Sequence, residues 1–366
     1  MINIQKAMKI HLIAAARPNF MKIAPLFHQL KLHKKFETKI IHTGQHYDKE
    51  MFSDIFDDLN LPEPHFSLNI GSGTHSYQVA MVMIEYEKLC ENDKPDLVIV
   101  VGDVNATMAC SIVAKKLHIK VAHLEAGLRS FDKTMPEEIN RMVTDSIVDY
   151  YWTPSLDANE NLIKAGIDEK YIFFVGNIMI DSLEMMREKI DKETIIKDLN
   201  LPSKYVVATF HRPSNVDSIA KLQEIVNQLI MTAKLITVVF PIHPRTRKRL
   251  LAFDLLQKVE NENNIITTAP LSYKQFMRLV FKSKVVVTDS GGIQEETTYL
   301  GIPCLTVRKN TERPITITQG TNELIDAKDI GPQVVSSLAR RKFKYKVPEL
   351  WDGKTAQRIA ENLPIN

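Results

Sequence analysis

Cysteine, glycine and an excess of charge of either sign are all scarce in this chain, and each scarcity removes a class of protein. Among its 366 residues are three cysteines, Cys90, Cys110 and Cys304. They are odd in number and no pair has CxxC spacing, so neither a disulfide framework nor a zinc ribbon is expected; all three read as small core residues. Glycine occurs 13 times, well under the average of about 7%, so two adjacent glycines carry weight. The 47 Lys+Arg nearly balance the 44 Asp+Glu, a formal +3. A dedicated nucleic-acid binder would be far more basic, and an anionic partner must be held by a local site. No apolar run approaches the roughly 18 residues of a membrane span, and the opening residues lack the apolar stretch of a signal peptide. A cytoplasmic protein without nucleic-acid or membrane partners is the expectation.

What is present is an alternation. Hydrophobic residues at 44% and charged residues at 25% are ordinary for a globular chain, and at about 150 residues per domain the length suggests two domains. Lys9–Ala14, Thr38–His42, Leu97–Val101, Lys120–His123, Tyr171–Val175, Tyr205–Phe210, Leu235–Phe240, Asn264–Thr267 and Lys284–Thr288 read as strands. Most are continuous apolar runs, as in strands covered by helices on both faces. Helical stretches such as Asn105–Leu117, Ile219–Lys234 and Ser272–Phe281 lie between them. The rhythm predicts an α/β fold with parallel sheets. A boundary is expected near Gly176–Asn200, with Asp181–Leu199 as a connecting helix. The basic run Arg340–Lys344 reads as a solvated face.

Reactive residues gather just beyond the strand ends. Arg17, Gln45-His46, Asp103 and Glu125 do so in the first half; His211, His243 and Asp289-Ser290-Gly291-Gly292 do so in the second. Ligands of open α/β sheets bind outside the carboxyl ends of strands, so these positions predict a cleft between the facing edges of two sheets. Val285–Glu296 reads as strand, glycine turn and helix, and such a helix start offers free N–H groups and a positive dipole to a phosphate. Glu296, about one turn in, could reach ribose hydroxyls. There is no GxxxxGK[ST], and Gly71-Ser72-Gly73 is only half a dinucleotide fingerprint, so neither a P-loop protein nor a dehydrogenase is expected.

Asp103, Glu125 and the pair Glu137-Glu138 form a second constellation. Proton abstraction at carbon needs a positioned base, usually with an acid on the other face; the competing reading of each carboxylate is a cap or an ion-pair member. His42, His46, His123, His211 and His243 are dispersed with no metal-binding spacing, so no metal is expected.

Together these motifs resemble the non-hydrolysing UDP-N-acetylglucosamine 2-epimerases, nearly end to end. The likeness runs through Ala16–Lys22, Thr43–His46, Gly102–Asn105, His123–Arg129, Met135–Arg141, Thr209–Pro213, Asp289–Glu296, Thr311–Pro314 and Trp351–Lys354. Two departures are Ala15-Ala16, where the family usually has a glycine, and Pro213-Ser214, where many members carry a second arginine and an acid.

The resemblance implies a GT-B fold of two Rossmann-like parallel-sheet domains facing across a cleft. Residues 1–178 would carry the acid/base carboxylates, 179–348 would bind UDP, and 349–366 would return to the N-terminal domain as a helix. It implies catalytic roles for Asp103, Glu125, Glu137 and His211, with Arg141 beside the carboxylates. Ser290, Gly291 and Gly292 would hold the diphosphate and Glu296 the ribose. Arg313, His211, Arg17 and Lys22 would lie about the phosphates, Phe276 and Leu271 near the uracil, and Gln45 and His243 near the sugar or an activator copy of it; Arg212 and His46 are further substrate-binding positions. No cofactor is implied, and a homodimer is. The implied reaction interconverts UDP-N-acetylglucosamine and UDP-N-acetylmannosamine for surface polysaccharide precursors. Related UDP-sugars, notably UDP-2,3-diacetamido-glucuronic acid or a 6-deoxy sugar, are the first alternative; a GT-B glycosyltransferase, a non-catalytic sensor and a hydrolysing epimerase are more distant ones.

Overall fold

A computed structural model describes residues 7–44, 56–340 and 344–363. The chain forms two compact units, Met1–Met185 with Glu349–Asn366, and Met186–Pro348. In the first, β1 (Met8–Ala14), β2 (Phe36–His42), β3 (Phe66–Ser67), β4 (Leu97–Val101), β5 (Lys120–Leu124), β6 (Tyr150–Thr153) and β7 (Ile172–Phe174) form one sheet. Its order is β3-β2-β1-β4-β5-β6-β7, parallel throughout. In the second, β8 (Tyr205–Thr209), β9 (Thr237–Pro241), β10 (Ile265–Thr268), β11 (Val285–Thr288), β12 (Cys304–Val307) and β13 (Asn322–Ile325) are ordered β10-β9-β8-β11-β12-β13, again parallel.

The reason is visible in β4: every residue of its Leu-Val-Ile-Val-Val run is buried, as a central parallel strand covered on both faces requires. Val98, Val100, Val121 and Tyr151 feed one apolar core, and Val206, Val238, Val285 and Leu305 feed the other. Four strands lie outside the sequence expectation: β3, β6, β12 and β13. β3 spans two residues and β13 begins Asn-Glu, so no apolar run marks either; β6 and β12 are four-residue runs that a threonine ends or interrupts. The connecting stretch is two helices, Ile178–Lys192 and Ile195–Asp198, rather than one. Arg341, Lys342 and Phe343 of the basic run lie outside the described residues.

The three cysteines are buried and free. Residues past Pro348 are held in the first unit. Trp351 donates its indole N–H to the Pro154 carbonyl at 2.9 Å. Asp181 accepts the N–H groups of Thr355 and Ala356 at 3.1 and 2.8 Å, where the helix Thr355–Asn362 begins. No helix among the described residues is long and apolar enough to cross a membrane.

Candidate active site

In the first sheet β1 stands between β2 and β4, so successive connections leave it in opposite directions and a crevice opens at the carboxyl edge. Strand adjacency brings the loops after β4 and β5 together, and with them Asp103 and Glu125. A cavity of about 350 Å³ opens here, lined by Asp103, Glu137, Asn105, Asn140, His75 and Gln78 among others.

Each carboxylate has a distinct setting. Asp103 pairs with the Arg141 guanidinium, which is buried, while Asp103 itself is partly exposed. Arg141 also donates to Glu138 at 2.7 and 3.1 Å. Glu138 in turn accepts from the Ser130 N–H and hydroxyl and from the Phe131 N–H. Burial alone would raise the Glu138 carboxyl, but the Ser130 and Arg141 hydrogen bonds outweigh it and hold it below its ordinary range. Glu138 is thus Arg141's anchor, and Glu137, exposed at the cavity, is the member of the pair open to a ligand. The i,i+3 spacing of Glu138 and Arg141 on the helix Pro136–Ile147 is the sequence signal for that anchor.

Glu125 is almost wholly buried, with φ at +73°, a left-handed conformation costly for a non-glycine residue. The Trp152 carbonyl accepts both the Glu125 and Ala126 N–H groups and holds the turn. Lys22 donates to Oε2 of Glu125, and Oε1 has no hydrogen-bond partner among the described residues. The resemblance places Lys22 about the phosphates; in the structure its ammonium pairs with the Glu125 carboxylate. Gly102, with φ at +68°, leaves room for this pair, since a Cβ there would come within 3.2 Å of Lys22 Nζ. Arg17 is exposed at the start of the helix Arg17–Lys31. Gln45 and His46 lie outside the described residues.

In the second sheet the order reverses at β8 and β11, and the residues after these two strands are tied together. Asp289, fully buried, accepts the His211 and Arg212 N–H groups at 3.1 and 3.0 Å and the Asn215 amide at 3.1 Å. Arg212 Nε donates to the Asp289 carbonyl at 2.9 Å. The His211 and His243 rings stand 5.4 Å apart. Burial lowers the His211 pKa, opposed by Asp289 and assisted by Arg212, Arg245 and Arg308. His243 is lowered by burial and then by His211.

Ser290 is the N-cap of the helix Gly291–Leu300, yet its hydroxyl makes no capping bond. Arg313 reaches this helix start, paired to Glu312 and, at 2.9 Å, to Glu295. Arg308 holds the other Glu312 oxygen at 2.8 Å. Burial opposes ionisation of Glu312, but Arg313 and Arg308 prevail and keep its carboxyl far below the usual range. Leu271 and Phe276 are half-buried, the first just before the Ser272 N-cap of the helix Tyr273–Lys282 and the second within that helix. The Tyr273 hydroxyl donates to Glu296 at 2.6 Å. Burial raises the Glu296 carboxyl to about 7, with Tyr273 pulling it down and Glu295 pushing it up. Tyr273 and Glu312 were assigned no role by sequence, because their importance lies in which side chain they meet; Glu138, counted among the candidate carboxylates, is the ion-pair member of its pair.

Doubly wound sheets with a cluster of carboxylates at one switch point, and a glycine helix start flanked by arginines at the other, define a nucleotide-sugar enzyme of GT-B-like fold. The chain belongs to the UDP-N-acetylglucosamine 2-epimerase family, whose model matches residues 28–364. It is 40% identical over 363 residues to the UDP-N-acetylglucosamine 2-epimerase of Methanocaldococcus jannaschii, covering 97% of this chain and 99% of that protein. The crystal structure of the Methanocaldococcus jannaschii UDP-GlcNAc 2-epimerase in complex with UDP-GlcNAc and UDP matches with a TM-score of 0.89 at 40% identity, over 97% of this chain and 99% of that one. The UDP-2,3-diacetamido-2,3-dideoxy-D-glucuronate 2-epimerase of Pseudomonas aeruginosa is 34% identical over 365 residues, again 97% of this chain and 99% of that protein.

Proposed function

We propose that the protein interconverts UDP-N-acetylglucosamine and UDP-N-acetylmannosamine, without cofactor or metal, by elimination and re-addition of UDP. The observation that carries this reading is the setting of Asp103 and Glu137 on one cavity, with half-free Glu125 nearby. A base takes the C2 proton while the C1–O bond breaks, its electron pair leaving with UDP and the C2–H pair forming the C1=C2 double bond of a 2-acetamidoglucal. UDP then re-adds at C1 as C2 is protonated from the opposite face. Two faces require two proton-handling groups, which the carboxylates supply. Ser290, Gly291, Gly292, Arg313 and Arg212 bind the diphosphate, Glu296 the ribose, and Leu271 and Phe276 the uracil; His211 donates a ring N–H to the departing phosphate.

The residues lining the cavity include two carboxylates and, among those described, no Lys or Arg. We take the protein to be a homodimer feeding a surface-polysaccharide pathway. Support for the dimer comes from Tyr77 and Ile84 on the helix His75–Asn92 and Ile139 and Met142 on Pro136–Ile147, all exposed, on helices that flank Asn105–Lys116.

Proton NMR of the protein with UDP-GlcNAc in D2O tests the reading. UDP-ManNAc carrying deuterium at C2 is expected. Free UDP with free N-acetylmannosamine means hydrolysis instead, and an unchanged sugar overturns the substrate, with the diacetamido-uronate next in the same assay.

Glu296 makes binding pH-dependent. A carboxylate accepts ribose O–H groups, so UDP binding favours the ionised form and expels the proton that burial retains. UDP affinity should therefore rise with pH up to about 7, by at most about tenfold per unit, and flatten above. Calorimetry on wild type and Glu296→Gln isolates this component from the titration of UDP itself. Identical pH slopes would remove Glu296 from the ribose.

A further inference from the structure

Beneath the carboxylates of the first unit lies a buried pair that the proposed chemistry does not use directly. His123, on β5, is wholly inaccessible. Its Nε2 lies 2.8 Å from the Gly102 carbonyl, and its Nδ1 lies 2.6 Å from Oδ1 of Asp145. The other Asp145 oxygen accepts the Gly127 N–H at 3.1 Å and the Arg129 guanidinium at 2.6 Å. A carbonyl only accepts, so Nε2 carries a hydrogen, and Nδ1 shares a proton with the carboxylate.

These contacts reach each of the three segments that carry a candidate acid/base carboxylate. Gly102 precedes Asp103 in a turn at φ +68°. Gly127, at φ +80°, follows Glu125 in the strained loop, and a Cβ there would stand 2.3 Å from the Ala158 carbonyl. Asp145 sits on the helix Pro136–Ile147, whose first turn holds Glu137. A buried charge is stable only when paired and hydrogen-bonded, so the cluster holds its members in one arrangement.

We propose that His123 and Asp145 are positioning residues that fix Asp103, Glu125 and Glu137 in register for proton transfer. The inference rests on the epimerase reading of those carboxylates. A histidine that merely filled the core would affect the amount of folded protein and leave turnover per folded molecule unchanged. A displacement of the acid/base loops, by contrast, lowers kcat while the UDP-binding residues of the second unit stay as they are.

The test uses the full-length protein and Asp145→Asn, an isosteric change that removes the charge, with active protein counted by UDP titration. Turnover per UDP-binding site should fall by about tenfold or more, with UDP affinity unchanged. NMR of nitrogen-labelled histidine should show two hydrogen-bonded ring N–H groups in wild type and loss of the Nδ1 signal in the variant. Wild-type turnover first establishes the reaction, so failure of the epimerase reading is separable. Wild-type turnover with full kcat in Asp145→Asn overturns the positioning role, as does a wild-type His123 lacking either N–H. If Asp145→Asn does not fold, His123→Gln, which retains a donor, is read in the same way.

Discussion

Asp103→Asn is expected to lower turnover by about two to four orders of magnitude while leaving UDP binding intact. The asparagine keeps the shape and still offers an oxygen to Arg141, but it can neither take nor give the proton at C2. The fold should tolerate the change. Arg141 remains bonded to Glu138 at 2.7 Å, so no buried guanidinium is left without an anion, which is the usual reason such substitutions unfold a protein. Asp103 itself is 33% exposed and costs little to neutralise. Steady-state kinetics, deuterium incorporation at C2 and UDP calorimetry separate the outcomes. Near-normal turnover would pass the base role to Glu125 or Glu137. A joint collapse of turnover and UDP affinity would mark Asp103 as structural.

The sequence made most of the strands legible because central parallel strands are apolar runs: Leu97–Val101 and Val285–Val287 are apolar and buried throughout. It showed where chemistry would gather for the same reason, since residues that end such strands are placed at the carboxyl edge by topology. It did not show which partner each residue would have. Lys22 lies on the helix after β1 and Glu125 after β5, more than a hundred residues on, and only the packing of that helix brings them into contact. Asp145 is a lone acid near the end of an amphipathic helix, and its role is visible only from His123 across the layer. Glu312 was quoted within a motif and given no role, because its pairing with both Arg308 and Arg313 is a tertiary event. Short-range patterns thus report where backbone and burial place a residue, and charge pairing across elements stays hidden from them.

The sharpest test of diphosphate binding is Gly292→Ala. A Cβ at Gly292 meets no protein atom within 4 Å. Neither Gly291 nor Gly292 has positive φ, and alanine in a helix is favoured over glycine by up to about 1 kcal/mol. The variant should therefore be at least as stable thermally as wild type, and any weakening of UDP must arise where the ligand approaches the helix start. Gly291→Ala differs. Its Cβ would stand 2.8 Å from Glu312 Oε1 and 3.0 Å from Arg313 Nη1, and that carboxylate is pinned by two guanidiniums. Arg313 must then give way, with loss of a charged hydrogen bond worth about 1.5–3 kcal/mol, or roughly ten- to a hundredfold in UDP affinity. Both variants should bind UDP more weakly, and Gly291→Ala should also disturb the arginine cluster. A Gly292→Ala protein with wild-type UDP affinity would move the diphosphate away from this helix, and with it the roles given to Ser290 and Arg313.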